Sequence, residues 1–357
     1  MKTAIIGLPM VGKTSLFTIL TGVQSDSRIG STAVRTGVAR VPDARLEELG
    51  RLFESQKVTH ATVEYVDMPS ISKENLRDPS YLASLRVVDA FAHVLRLFPD
   101  ETVPHEKGSV DPLRDMEDVE TELILSDFVV VEKRLERLDK DRKKIKNPEF
   151  DREAELLEKC KAALEANQPL RQLTLEPDDE KRLRGFQFLS QKPMLYVLNV
   201  GEADASKLHD REREYQEGPL AGRKNTAATG VCGKVEAELS ELPREEQRDY
   251  LASYGLLESG LERLISATYA LLGLMSFLTA GEDETRAWTI PVHTPAAKAA
   301  GAIHSDFEKK FIRAEVVNWK ALVDYKGYPG VREKGMLRLE GKEYIVKDGD
   351  VLVIRHS

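Results

Sequence analysis

The sequence predicts an α/β fold built on a parallel sheet, with an inserted helical hairpin and a small β-rich module at the C-terminal end. Three observations carry that reading. Short apolar runs at residues 2–6, 62–66, 90–97 and 194–199 have the length of strands buried on both faces. Long stretches of helical periodicity separate them. From residue 281 the chain turns to short β-type runs, FIRAEVV, MLRLEG, KEYIVK and DVLVIR, broken by Gly341 and by the turn signal Asp348-Gly349.

The first element sets the chemistry. KTAII runs into GLPMVGKT, and the following SLFTILTG sets Leu16, Phe17, Ile19 and Leu20 on the crowded face of a helix packed on a sheet. Strand, glycine-rich turn and helix are the setting that a GxxxxGK(S/T) phosphate loop requires. Gly7, Pro9, Met10, Val11, Gly12 and Ser15 are expected to line a phosphate site, because the loop's backbone N–H groups and the helix N-terminus favour an anion there. Lys13 is expected to reach the β- and γ-phosphates and to serve catalysis, and Thr14 to place its hydroxyl on Mg²⁺.

The second run ends in Asp67, within VEYVDMPS. An acid at the carboxyl end of a neighbouring strand is where such sheets hold Mg²⁺, usually through water. The fourth run ends in Asn199-Val200-Gly201-Glu202. A guanine-reading site would carry Asn-Lys-x-Asp, and here Val200 removes the stacking aliphatic stem while Glu202 is longer than the aspartate. The expected ligand is therefore ATP, with GTP as the alternative. Cys232, in VCGKVEAEL, is expected to border the base with Gly233 by backbone.

Residues 116–186 have a different composition. Apolar positions recur at helical spacing in VETELILSDFVVVEKRLERLDKDRKKIK and again in FDREAELLEKCKAALEA, on either side of Asn147-Pro148, which predicts an antiparallel helical hairpin. Its tip holds Lys140, Arg142, Lys143, Lys144 and Lys146. They read either as a solvated helix end complementing the dipole or as a contact for RNA phosphate.

Composition bounds the rest. A chain of 357 residues implies two or three structural units. The net charge of -8 argues against a surface for non-specific nucleic-acid binding, and no DNA partner is expected. No apolar run is long enough to cross a bilayer, and the first residues run straight into the phosphate loop, so a cytoplasmic protein is expected. Two cysteines far apart, Cys160 and Cys232, read as packing residues rather than a disulfide or metal pair.

On GLPMVGKTSLF, VPHEKGSVDP, the Asn-Val-x-Glu at Asn199–Glu202, TAGEDETRAWTI and HSDFEKKFIRAEV, the chain resembles the YchF / Obg-like ATPase family, a branch of the Obg group of translation-factor GTPases. The resemblance implies an Obg-type P-loop domain at 1–115 and 187–280, an inserted helical arm at 116–186 and a TGS-like domain at 281–357. It also implies hydrolysis of nucleoside triphosphates, ATP in preference to GTP in many members, and association with the ribosome or its RNA. By the same alignment the water-aligning Gln of Ras-like enzymes is replaced by Ile71, and the catalytic burden passes to His105 on a mobile loop. The family's DxxG reads Asp67-Met68-Pro69-Ser70, Met10 stands where Asn is usual, and Ser31 or Thr32 supplies the Mg²⁺ hydroxyl of the first switch. These departures leave a second reading open, a nucleotide-binding scaffold with little or no hydrolysis.

Overall fold

The computed structural model describes residues 1–23, 34–72 and 74–357. They form two compact units, Met1–Gly37 with Glu64–Ala267, and Val38–Val63 with Thr268–Ser357. In chain order the first strands are β1 (Lys2–Ile6), β2 (Arg35–Arg40), β3 (Lys57–Thr59), β4 (Thr62–Asp67), β5 (Ala90–Arg96), β6 (Met194–Asn199) and β7 (Thr226–Val231). The early helices are α1 (Lys13–Thr21), α2 (Ala44–Leu52), α3 (Pro79–Arg86), α4 (Pro112–Arg142) and α5 (Pro148–Glu165).

One sheet has the order β2-β4-β1-β5-β6-β7. β1 pairs in parallel with β4 and β5, β5 with β6, and β6 with β7. Every residue of β5 and β6 is buried, as expected of parallel strands covered on both faces. Register brings the carboxyl ends level: Ile5 lies beside Asp67, Ile6 beside His93, and Asn199 beside both Arg96 and Val231. In an open α/β sheet that edge is where ligands bind.

The helical hairpin is α4 and α5. Pro112 and Pro148 open the helices, and the preceding Asp111 and Asn147 cap them by accepting from Arg114 N–H at 3.1 Å and Glu149 N–H at 3.0 Å. Ile124, Val131, Leu135 and Leu138 of α4 share a core with Leu156, Leu157, Cys160 and Leu164 of α5. The buried Asp127 carboxylate accepts from the N–H groups of Leu189 at 2.9 Å and Ser190 at 2.7 Å, tying α4 to the segment that leads into β6. Burial outweighs those bonds and pushes its pKa up to about 6.

The second sheet uses β8 (Leu274–Thr279), β9 (Glu284–Pro291), β10 (Phe311–Asn318), β11 (Arg338–Glu340) and β12 (Asp350–His356), in the order β11-β10-β12-β8-β9-β3. Three expectations for the tail change. The separation falls before β8 rather than at residue 281, because β8 pairs with β9 along its length, from Leu274 opposite Pro291 to Thr279 opposite Arg286. Residues 38–63 belong to the same unit, because β3 pairs with β9 and Arg45 of α2 bonds both Asp43 at 2.8 Å and Asp348 at 2.6 Å. KEYIVK is no strand: its backbone turns, with a single bridge from Ile345 to Pro295, and Tyr344 and Val346 join the apolar cluster as loop residues.

Candidate phosphate and metal site

The turn between β1 and α1 is shaped by two close approaches. Gly7 has φ +142°, and a Cβ there would stand 2.7 Å from the Val94 carbonyl oxygen; Gly12 has φ +100°, and a Cβ would stand 2.6 Å from Asn199 Nδ2. Only glycine meets both demands. Met10 also takes a left-handed conformation, φ +61°, with its side chain half exposed. Leu8 and Val11 are buried and anchor the loop from below.

Lys13, in the first turn of α1, is buried. Its Nζ donates to the Leu8 carbonyl at 2.5 Å and to Ser70 Oγ at 3.1 Å. Burial lowers its pKa to about 8, while the charges of Asp67 and Glu106 pull the other way. The segment after β4 is braced against the loop: Ile71 N–H donates to the Gly7 carbonyl at 3.3 Å, Asn75 Nδ2 to the Ser70 carbonyl at 2.7 Å, and the Tyr81 hydroxyl to the Pro69 carbonyl at 2.9 Å.

Thr14 Oγ1 donates to Asp67 Oδ2 at 3.1 Å, across from α1 to the end of β4. Two oxygens at that separation fit one octahedral divalent cation, whose neighbouring ligands lie about 2.9 Å apart for bonds near 2.05 Å. Among the described residues no three His, Cys, Asp or Glu side chains converge, so an ion here would draw its other ligands from phosphate and water. Arg35, which the sequence reading passed over, completes the cluster. Its Nη2 lies 2.5 Å from Asp67 Oδ2 and 3.4 Å from Thr14 Oγ1. Ser31 and Thr32 lie outside the described residues.

On the other side of the loop, Asn199 works as a clamp. Its Nδ2 donates to the Val11 carbonyl at 3.0 Å and its Oδ1 accepts from Gly233 N–H at 3.1 Å. Val200 is buried in a cluster with Leu208, Cys232 and Val235, so its side chain faces the core. Cys232 stands before the helix Gly233–Glu241, and burial pushes its thiol up. Glu202 accepts from Lys234 at 2.5 Å and from the Tyr254 hydroxyl at 2.8 Å, and these bonds hold its carboxyl below the usual range.

His105 makes its hydrogen bonds elsewhere. Its Nε2 pairs with Asp115 Oδ2 at 2.9 Å, its side chain is 4% exposed, and Lys107 N–H donates to Nδ1 at 3.2 Å. Nδ1 therefore accepts and Nε2 carries the proton that it donates to Asp115. Arg114 holds the other oxygen of Asp115 at 2.9 Å. Ile71 is buried. The structure thus brings together Lys13, Thr14, Asp67 and Ser70, and it engages His105 with α4 instead. Asp115 carried a weak signal in the sequence, an acid in the first turn of a helix close after a histidine loop; Arg35 carried none.

A family model described as a 50S ribosome-binding GTPase matches residues 2–134. A model of the YchF GTPase C-terminal region, described as a protein of unknown function, matches residues 274–357. The "Ribosome-binding ATPase YchF" of Bacillus subtilis (strain 168) is 39% identical over 366 residues, covering 100% of this chain and 99% of that protein. Its namesake from Escherichia coli O157:H7 is 40% identical over 363 residues, 98% of each. The chain belongs to the YchF family. Among solved structures, the Schizosaccharomyces pombe YchF GTPase matches with a TM-score of 0.85 at 28% identity, over 99% of this chain and 97% of that one. The YchF C-terminal match begins at residue 274, the first residue of β8, which is also where strand pairing separates the tail from the phosphate-loop sheet.

Proposed function

We propose that this chain is a Mg²⁺-dependent nucleoside triphosphatase that takes ATP in preference to GTP and works on the ribosome, and hence in the cytoplasm. The observation that carries it is the convergence of Lys13, Thr14 and Asp67 at the end of β1 and β4, beneath a loop of Gly7, Pro9, Met10, Val11, Gly12 and Ser15. In this reading the loop N–H groups and the α1 N-terminus hold the phosphates, and Lys13 exchanges its Leu8 and Ser70 partners for phosphate oxygens. Thr14 and Asp67 would hold Mg²⁺, with Ser31 or Thr32 as a further ligand, and the ion would supply neutralisation of charge on the β- and γ-phosphate oxygens. Asn199 fixes the distance between phosphate loop and base loop. Support for adenine comes from the base side: Val200 is buried, and both Glu202 oxygens already accept from Lys234 and Tyr254, so guanine would have to compete with those bonds. Ribosome association rests on what the relatives are called, Ribosome-binding ATPase YchF, and we assign the arm at 116–186 and the tail at 274–357 as its docking elements.

A specific observation favours the second reading, a nucleotide-holding scaffold. The His105 side chain is buried against Asp115, to which its Nε2 is hydrogen-bonded, and turnover through it requires that contact to open. Competition of ATP and GTP for a fluorescent analogue, followed by steady-state phosphate release, separates the readings. We expect ATP to displace the analogue at about tenfold lower concentration than GTP, a difference of about 1.4 kcal/mol. Release above background in wild type, lost in Lys13→Ala and reduced in His105→Ala, supports the enzyme. Equal background rates in all three, with binding intact in wild type, would leave the scaffold.

A further inference from the structure

Arg35 stands where a metal ion is expected. It is the first residue of β2, and Gly37, two positions on, lets that strand close on the end of α1, since a Cβ there would stand 2.5 Å from Thr21 Cβ. The guanidinium reaches Asp67 Oδ2 at 2.5 Å and Thr14 Oγ1 at 3.4 Å, and it lies 5.7 Å from the centroid of the buried Phe17 ring. Asp67 Oδ2 is the same atom that accepts from Thr14. The lone pairs that would face a divalent cation are therefore already directed at a cation that belongs to the chain.

The guanidinium is also incompletely satisfied. Among the described residues the buried Arg35 Nε has no hydrogen-bond partner, and there the side chain is held by one strong charge-assisted contact and a long one. Such a group is retained while nothing better occupies the oxygens and is displaced when a dication does. A dication on Thr14 Oγ1 and Asp67 Oδ2 would take the oxygens that Arg35 now contacts, and the two cations would repel at contact distance.

We propose that Arg35 is a built-in competitor of the divalent cation, setting the Mg²⁺ concentration at which the nucleotide site closes around its metal. The proposal rests on the nucleotide reading above. It adds a residue that tunes metal affinity through Thr14 and Asp67, without touching the base.

The test is an equilibrium titration of a fluorescent, non-hydrolysable ATP analogue into the full-length protein, from excess chelator to millimolar Mg²⁺. Wild type, Arg35→Gln and Arg35→Ala are compared, with thermal melting as the check that each is folded. Removing the competing charge is expected to lower the half-saturating Mg²⁺ concentration about tenfold in both variants, the factor that one charge-assisted hydrogen bond carries. A midpoint unchanged or raised in both folded variants, with wild type binding the analogue, overturns the proposal and leaves the nucleotide reading standing. If that unchanged midpoint accompanies lost phosphate release with ATP, Arg35 is a transition-state cation instead. Failure of folded wild type and variants alike to bind the analogue at any Mg²⁺ concentration overturns both.

Discussion

Met10 and Lys13 show how a few residues set the behaviour of the phosphate loop. A left-handed backbone costs an ordinary L-residue about 1–2 kcal/mol, and Asn bears it at lower cost than Met. With φ +61° and a half-exposed side chain at position 10, Met10→Asn relieves strain without removing core packing. We expect a gain of about 0.5–1 kcal/mol in urea unfolding of the nucleotide-free protein. Lys13 predicts a pH dependence. Its pKa in the folded chain is lowered from 10.5 to about 8, so between those values the unfolded chain binds more protons and stability contributed by this group rises with pH. Phosphate binding runs the opposite way, because it needs the ammonium. Between pH 7 and pH 9 nucleotide affinity should fall about tenfold, as most Lys13 loses its proton; flat affinity over that range, read by fluorescence titration, would count against Lys13 as the phosphate ligand.

At the scale of elements, the hairpin of α4 and α5 depends on more than its apolar seam. Asp127 satisfies two buried N–H groups from the middle of α4. Asp127→Ala leaves both without an acceptor, at a cost of about 2–4 kcal/mol in chemical denaturation, whereas a substitution at exposed Val129 should change little. The pH trend has a definite sign. With the folded pKa raised from 3.8 to about 6, the native chain binds more protons in that window, so this group's contribution to stability falls as pH rises from about 4 to about 6. The helix ends were legible in sequence, since Asn147-Pro148 is both stop and start signal and the structure uses it as a cap. Asp127 was not, because its partners lie 62 and 63 residues away.

At the scale of the molecule, strand pairing decides which truncations are meaningful. A chain ending at Ala280 keeps β8 but loses β9 and β12, exposing Phe277 and Leu278. Ending before Thr268 strands residues 38–63, whose β3 has β9 as its partner. We expect both truncations to elute as aggregates or to lose a cooperative melt, while the full chain does neither. Ribosome association is better tested in the intact chain. Reversing Lys140, Lys143 and Lys144 to Glu should weaken co-sedimentation with ribosomes, and the wild-type signal should fall steeply with salt. Co-sedimentation unchanged by the reversal would make the tip a solvated helix end.

The sequence by itself determined the elements whose signal is local. Apolar runs mark β1, β4, β5 and β6, helical periodicity marks α4 and α5, and the loop residues from Gly7 to Thr14 sit between a strand and a helix as their spacing required. Among the strands it did not mark, RTGVAR of β2 alternates buried and exposed positions and TAATGV of β7 has small side chains, whereas LMSFLT of β8 is apolar and lies before the expected start of the tail. Tertiary structure alone decided where side chains from distant segments meet. It set Asp115 against His105, joined residues 38–63 to the tail, and laid the guanidinium of Arg35 on Thr14 and Asp67. The physical reason is common to all three: periodicity and capping record interactions within a turn or a strand, whereas charge pairing and β pairing across the fold depend on register that no local pattern encodes.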